Sequence, residues 1–315
     1  MTTTKQKKLH KVDLNILTEM MEALPQTPEG TSGNFSVTHT HIPAGKPMPI
    51  ISMRNAILMN QQPTNLVLTH PHTIRYLREG EGVWMSDTPQ EVYQMRDVIR
   101  QAHGHVLIGG LGLGVIHHLV GKLCKAVKTI TTVECERDVL ELIRPHVINP
   151  KVDKAIIRGD LFQFLENLKE DKTKYDFAFF DIWAGPGEYI WVEYVVPLRR
   201  LCRRQIPQGQ ILCWNEDEMK GQLRDALRRA AYMDRTTVRY YEPLRIFAQN
   251  CMISHQKFQH EGLFAAKSPQ QLENYWNAGN NNKGLSFLIE RYLKPGTDTW
   301  ERDFGQLWDQ HVTKQ

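Results

Sequence analysis

Residues 106–115 read Val106-Leu107-Ile108-Gly109-Gly110-Leu111-Gly112-Leu113-Gly114-Val115. A short β-branched and aliphatic run enters a loop with glycine at four of six positions, and a helical pattern from Val115 to Leu123 follows. Glycines between a strand and a helix permit a tight turn and close backbone approach to a ligand at the helix N-terminus. Downstream the same alternation repeats. Strands are expected at Thr129–Val133, Lys154–Arg158, Tyr175–Phe180 and Gln210–Trp214. Helices are expected at Glu136–Arg144, stopped by Pro145, at Leu161–Leu168, at Tyr189–Arg203 with an irregularity at Pro197, and at Glu216–Tyr232. Arg235–Tyr241 and Ile246–His255 read as a closing antiparallel pair. The run Tyr175–Phe180 is almost wholly apolar, as a strand covered on both faces should be. Strands alternating with helices at this spacing mean an α/β chain with a parallel sheet, doubly wound, seven-stranded and antiparallel only at its last strand.

The expected strand ends carry the chemistry. Glu134 closes the strand after the glycine loop, Gly159-Asp160 closes the next, and Asp181 the one after that. In an open α/β sheet ligands lie outside the carboxyl ends of the strands. Glu134, about twenty residues past the loop, can accept from both ribose hydroxyls of NAD or of S-adenosylmethionine alike. Asp160 can take an adenine amino group while also capping the helix at Leu161. Asp181 can face an amine or act as a base. Three acids converging on one edge suit a polyfunctional or cationic ligand. A dinucleotide enzyme would add a second half-domain and a loop ready for pyrophosphate, and neither is evident in the sequence. Trp183 and Tyr189 flank Asp181 and could wall the pocket or pack in the core.

The chain has 315 residues, 41% hydrophobic and 23% charged, which excludes a disordered protein. A net charge of +4 is too mild for a dedicated nucleic-acid binder. Arg199-Arg200, Arg203-Arg204, Arg224 and Arg228-Arg229 could meet a nucleic-acid acceptor, but their Leu-interleaved spacing favours solvated helix faces. A small-molecule acceptor is the better expectation. No apolar run is long enough for a bilayer, and no h-region follows the N-terminal lysines. Five cysteines without a CxxC pair fit free thiols in a cytoplasm. The pairs His39/His41 and His70/His72 lack companions at ligand spacing, so no metal is expected, and His117-His118 reads as partly buried helix. Upstream, residues 1–45 read as a polar segment, with a short helix in Val12–Leu24 and turn and linker from Pro25 to Gly45. Residues 46–101 read as a small β-rich cap, with strands at Ile50–Met53, Leu66–Thr69 and Val83–Met85. Its helix is opened by the capping box Thr88-Pro89-Gln90-Glu91 and runs to about Gln101. Residues 102–260 form the ligand-binding domain and 261–315 a helical, Trp-rich extension that could dock onto it or form a homodimer surface.

With the glycine loop, Glu134, Asp160 and Asp181 in this order, residues 83–255 resemble the class I S-adenosylmethionine-dependent methyltransferase superfamily, and within it the spermidine-synthase-like branch. Val133-Glu134-Cys135-Glu136-Arg137-Asp138-Val139 follows that branch's V-E-x-D-x-x-V with Glu136 for Asp; Gly159-Asp160-Leu161-Phe162-Gln163-Phe164-Leu165 follows G-D-x-x-x-F-L. Tyr175-Asp176, Asp181 and Gly185-Pro186 follow its Y-D…D…G-P. The resemblance implies a Rossmann-like sheet with S-adenosylmethionine, or its decarboxylated form, as cofactor. Gly109, Gly110, Gly112 and Gly114 would hold the methionine part, Glu134 the ribose, and Gly159 and Asp160 the adenine. Tyr93-Gln94 fall where that branch has a Tyr followed by Gln or His near the substrate. Aminopropyltransferases carry an acid where this chain has Gly112, and a second Asp shortly after the one matching Asp181. Their loss favours methyl transfer to another acceptor over aminopropyl transfer. A non-catalytic nucleotide-binding partner protein is the remaining reading.

Overall fold

The computed structural model describes residues 13–51, 63–168, 174–183, 185, 190–202, 206, 210–219 and 221–222. The chain divides into two compact units, one of residues 1–184 and 205–214, the other of 185–204 and 215–315.

In the first unit, α1 (Leu14–Glu22) leads into β1 (Gly30–Ser32), β2 (Phe35–Ile42), β3 (Met48–Ile51), β4 (Thr64–Leu66), β5 (His72–Glu79) and β6 (Gly82–Ser86). The order β1-β2-β5-β6 makes an antiparallel sheet, and β3 pairs with β4 beside it. The reading of 25–45 as turn and linker is therefore corrected: β2 pairs with β5 along its whole length, Phe35 facing Glu79 and Ile42 facing His72. Only Phe35 and Val37 of β2 are buried, and Thr and His alternate from Thr38 to His41, so the period-2 signal fades after one repeat. β5, the other eight-residue strand of this sheet, was not anticipated; its buried Ile74 and Leu77 fall three apart among polar residues. Two features hold this layer in place. Arg75 and Asp87, 3% and 0% exposed, form an ion pair at 2.9 Å, with the Arg75 guanidinium also donating to Gln26. Ser32 donates to Asp138 and Glu141 of the helix Arg137–Val147.

The expected single helix after Thr88 is two, α2 (Pro89–Gln94) and α3 (Arg96–Gln101), joined at Met95. The capping box does not close as expected. Thr88 makes no side-chain cap, and the Glu91 carboxylate reaches back to the Ser86 N–H and hydroxyl, both at 2.8 Å.

Then follow β7 (Gly104–Gly109), α4 (Val115–Leu123), β8 (Val127–Glu134), α5 (Arg137–Val147), β9 (Asp153–Arg158), α6 (Leu161–Asn167), β10 (Phe177–Phe180) and β11 (Ile211–Cys213). The five strands form one all-parallel sheet in the order β11-β10-β7-β8-β9. Chain order runs outward from β7 through β8 to β9, then reverses to β10 and β11. With right-handed crossovers that reversal puts α4 and α5 on one face and α6 on the other. Val106, Leu107, Ile108 and all of β10 are at most 4% exposed, which explains their unbroken apolar sequence. Pro145 does not stop α5, which continues to Val147. Proline forfeits one intrahelical N–H bond, and the burial of Ile143 and Val147 on either side offsets that loss. His117, expected as partly buried, is 2% exposed; its ring bonds the Thr132 hydroxyl and lies 3.2 Å from Asp153.

In the second unit a π-helical turn (Trp191–Val195) runs into α7 (Val196–Cys202), where the sequence predicts one helix with an irregularity at Pro197. Glu216 gathers the Arg199 guanidinium and the Trp191 indole N–H. Residues 216–219 are helical. The two expected closing strands, the extension from 261, Tyr189, Pro186 and the remaining arginine clusters lie outside the described residues. No helix among the described residues is long and apolar enough to cross a membrane.

Candidate functional site

The sheet reverses its winding between β7 and β10, and the loops leaving those two strands must diverge there. That divergence opens a crevice at the carboxyl edge, the place where ligands bind in such sheets. Gly109–Gly114 leaves β7 and Asp181 leaves β10 on the two sides of this point. Glu134 ends β8 next door, and Gly159-Asp160 follows β9 beyond it. The four expected strand-end positions therefore share one edge.

The glycine loop is pressed against its neighbour. The Asp181 N–H donates to the Gly109 carbonyl at 2.9 Å, and a Cβ on Gly110 would collide with the Asp181 carbonyl oxygen. Gly110 also sits at φ +89°, so both sterics and backbone demand glycine there.

Glu134 is 7% exposed and is committed to the loop. Its Oε2 accepts from Leu111 N–H at 2.7 Å and, at 3.4 Å, from Gly112 N–H; Oε1 accepts from Glu136 N–H at 2.9 Å. A carboxylate has about four lone-pair sites, so most of its accepting capacity is taken. This adds a loop-clasping role that the sequence reading, with ribose alone in view, did not contain.

Asp160 is exposed and caps α6, its Oδ1 accepting from Gln163 N–H at 2.9 Å. Beside it, a Cβ on Gly159 would meet nothing within 4 Å. The β9 end of the edge is thus open, with a carboxylate at its rim.

Asp181 has the most perturbed acid in the crevice. Burial, with the nearby Glu91 and Glu134 carboxylates adding to it, pushes its carboxyl up to about 8. Burial also raises Glu91, which Asp87 reinforces. Glu91 is the functional candidate the sequence reading missed. Its position in a capping box gave it a complete local explanation, and only the fold of β6 and α2 brings it within reach of Asp181.

Tyr93 meets the N-cap of α1. Its hydroxyl accepts from the Asp13 N–H at 3.2 Å, and the Arg96 guanidinium carbon lies 4.3 Å from its ring centroid. Ring and hydroxyl are committed to the junction of α1 and α2. Among the described residues, Gln94 Oε1 is buried without a hydrogen-bond partner. Trp183 is 6% exposed, and among the described residues its buried indole N–H likewise has no partner. Such a donor costs free energy unless something accepts from it.

A last feature was not anticipated. Met85 of β6 lies over the glycine loop: its Sδ accepts from the Leu113 N–H at 3.0 Å and fills the space a Cβ on Gly112 would need. Among the described residues no group of three or more His, Cys, Asp or Glu side chains stands where it could hold a metal ion.

No family model matches the chain, and no curated protein matches it significantly. Solved structures give remote likenesses. A SAM-dependent methyltransferase from Agrobacterium tumefaciens is 12% identical over 44% of this chain and 49% of its own, at TM-score 0.33. A candidate SAM-dependent methyltransferase from Streptococcus mutans is 9% identical over 68% and 72%, at TM-score 0.36. An NADH-dependent reduced ferredoxin-NADP oxidoreductase is 13% identical over 58% and 71%, at TM-score 0.26. The chain spans about half the length of the Agrobacterium structure. Likenesses this remote carry no weight for activity, and methyltransferases and a nicotinamide enzyme stand among them together.

Proposed function

We propose that the protein is an S-adenosylmethionine-dependent methyltransferase. The observation that carries this reading is the convergence, on one carboxyl edge at the winding reversal, of the glycine loop, Glu134, Asp160 and Asp181. A ligand of adenosine linked to an amino acid would lie along that edge. Asp160 and the open space at Gly159 would take the adenine, Glu134 a ribose hydroxyl, and the glycine loop the methionyl end. Bound there, S-adenosylmethionine supplies an electrophilic methyl group on a sulfonium and departs as a neutral thioether.

The protein's own contribution is placement and a proton acceptor. In-line displacement needs donor and nucleophile held in near-attack geometry, which fixed strand ends provide. Asp181, with its carboxyl raised to about 8, holds a proton at neutral pH in the chain alone; a cationic sulfonium beside it would favour the carboxylate, which would then take the acceptor's proton. The acceptor is then a small molecule whose nucleophilic atom carries a proton. The unpartnered N–H of Trp183 would donate to a polar atom of that acceptor. The same acids suit a positively charged group, because a cation between Asp181, Glu91 and Glu134 relieves their mutual repulsion.

Calorimetry with S-adenosylmethionine, S-adenosylhomocysteine and NAD tests the reading. Saturable binding of the first two and none of NAD is expected. Binding of NAD alone, or of none of the three, overturns it.

A further inference from the structure

We infer that Met85 is a resident competitor for the methionyl end of the cofactor site and sets how strongly the site selects ligands bearing an amino-acid carboxylate. This deepens the methyltransferase reading and rests on it.

The loop N–H groups are already satisfied within the protein. Gly110 N–H donates to Val133 O and Gly114 N–H to Leu111 O. Leu111 and Gly112 donate to Glu134. Leu113 donates to the Met85 thioether. These bonds differ in strength. Backbone carbonyls belong to the fold, and the Glu134 bonds are charge-assisted. A thioether sulfur is a weak acceptor. The Leu113–Met85 contact is therefore the one an incoming carboxylate displaces at least cost, exchanging a sulfur acceptor for an anionic oxygen.

The surroundings allow that exchange. Met85 is half-buried, on the edge strand β6 of its sheet, where the register with β5 shifts between Leu77 and Arg78. Its side chain is unbranched and finds other rotamers readily. Gly112, at φ +50°, leaves room that the sulfur fills now and that a ligand would fill in its place. An adenosine-containing molecule without a carboxylate gains nothing from the Leu113 N–H and has no means of displacing the sulfur. Met85 thus discriminates by what it makes the ligand replace.

The test compares S-adenosylhomocysteine with 5′-methylthioadenosine, which keeps the nucleoside and thioether but lacks the amino-acid end. Calorimetry on the full chain should show Met85→Ala tightening S-adenosylhomocysteine about five- to tenfold while leaving methylthioadenosine within twofold. In the wild-type chain with ¹³C-methyl methionine, S-adenosylhomocysteine should move the Met85 methyl resonance toward the free-methionine position, and methylthioadenosine should not. The proposal is overturned if Met85→Ala leaves S-adenosylhomocysteine unchanged or weaker, if both ligands change equally, or if the wild-type methyl resonance stays put. If the wild-type chain binds neither molecule, the methyltransferase reading itself falls and this inference with it.

Discussion

Glu134 Oε2 accepts the backbone N–H of Leu111 at 2.7 Å, from the end of one parallel strand to the loop that leaves its neighbour. The acid at the end of β8 is thereby a structural clasp on the glycine loop before any ligand arrives. Hydrogen bonds to a buried charged group contribute about 1.5–3 kcal/mol each. Glu134→Ala should lower the unfolding free energy by about 2–3 kcal/mol in urea titrations without ligand. An unchanged midpoint would mean that the acid serves ligand binding alone.

Gly110 and Gly112 are both left-handed, yet substitution at them should differ in cost. At Gly110 a methyl group meets the Asp181 carbonyl oxygen, which is backbone and cannot step aside. At Gly112 it meets the Met85 sulfur, the far end of a flexible side chain. Gly112→Ala should therefore cost about 1 kcal/mol, the backbone strain, and Gly110→Ala at least 2 kcal/mol more. Equal thermal shifts for the two variants would contradict the packing described for Asp181.

Arg75 and Asp87 are a buried pair joined by a side-chain ion pair and by the Arg75 N–H donating to Asp87. Removing one partner leaves a buried charge, which costs about 3–5 kcal/mol. Asp87→Ala should lose that much by chemical denaturation. Arg75→Met combined with Asp87→Leu should recover a large part of it. A double variant no better than the single one would mean that the pair's value lies in its hydrogen bonds to Gln26 and the backbone.

Asp181 makes stability depend on pH in an unusual direction. Its folded carboxyl is raised above the unfolded value near 3.8, to about 8. Between those values the folded chain holds a proton that the unfolded chain has released. Stability is then greatest below pH 4 for this group and falls as pH rises toward 8, where the loss is complete. The difference between wild type and Asp181→Asn isolates the effect from other groups. The stability of wild type minus that of Asp181→Asn, from urea denaturation at pH 5 to 9, should fall steadily with rising pH up to about 8 and then level, because the amide mimics the protonated carboxyl. A difference that is flat across the range would show that the carboxyl ionises normally.

The α/β core was legible because its signals were redundant. Val106–Ile108, the glycines and Val115–Leu123 each specify the same strand, turn and helix, and β10 is apolar because both its faces are covered. The strand-end acids were legible for the same reason, since an acid after an apolar run marks a carboxyl edge. The N-terminal sheet was not. β2 alternates Thr and His after Val37, and β5 carries three charged residues, so neither shows a clean period. Glu91 and Met85 escaped because their roles arise from contacts between β6, α2 and a loop more than twenty residues away. No local pattern encodes those contacts. The bond from the Asp13 N–H, at the N-cap of α1, to the Tyr93 hydroxyl joins residues eighty apart, and no local pattern around Tyr93 encodes it.

The most direct test of a ligand lying across the strand ends is at Gly159. Its Cβ position is open and its backbone is not left-handed, so a side chain there should be accommodated by the fold and occupy the adenine end of the crevice. Gly159→Leu should keep its thermal midpoint within about 2 °C of wild type and bind S-adenosylhomocysteine at least tenfold more weakly by calorimetry. Affinity within twofold of wild type, in a variant that keeps its fold, would place the ligand elsewhere and contradict the account.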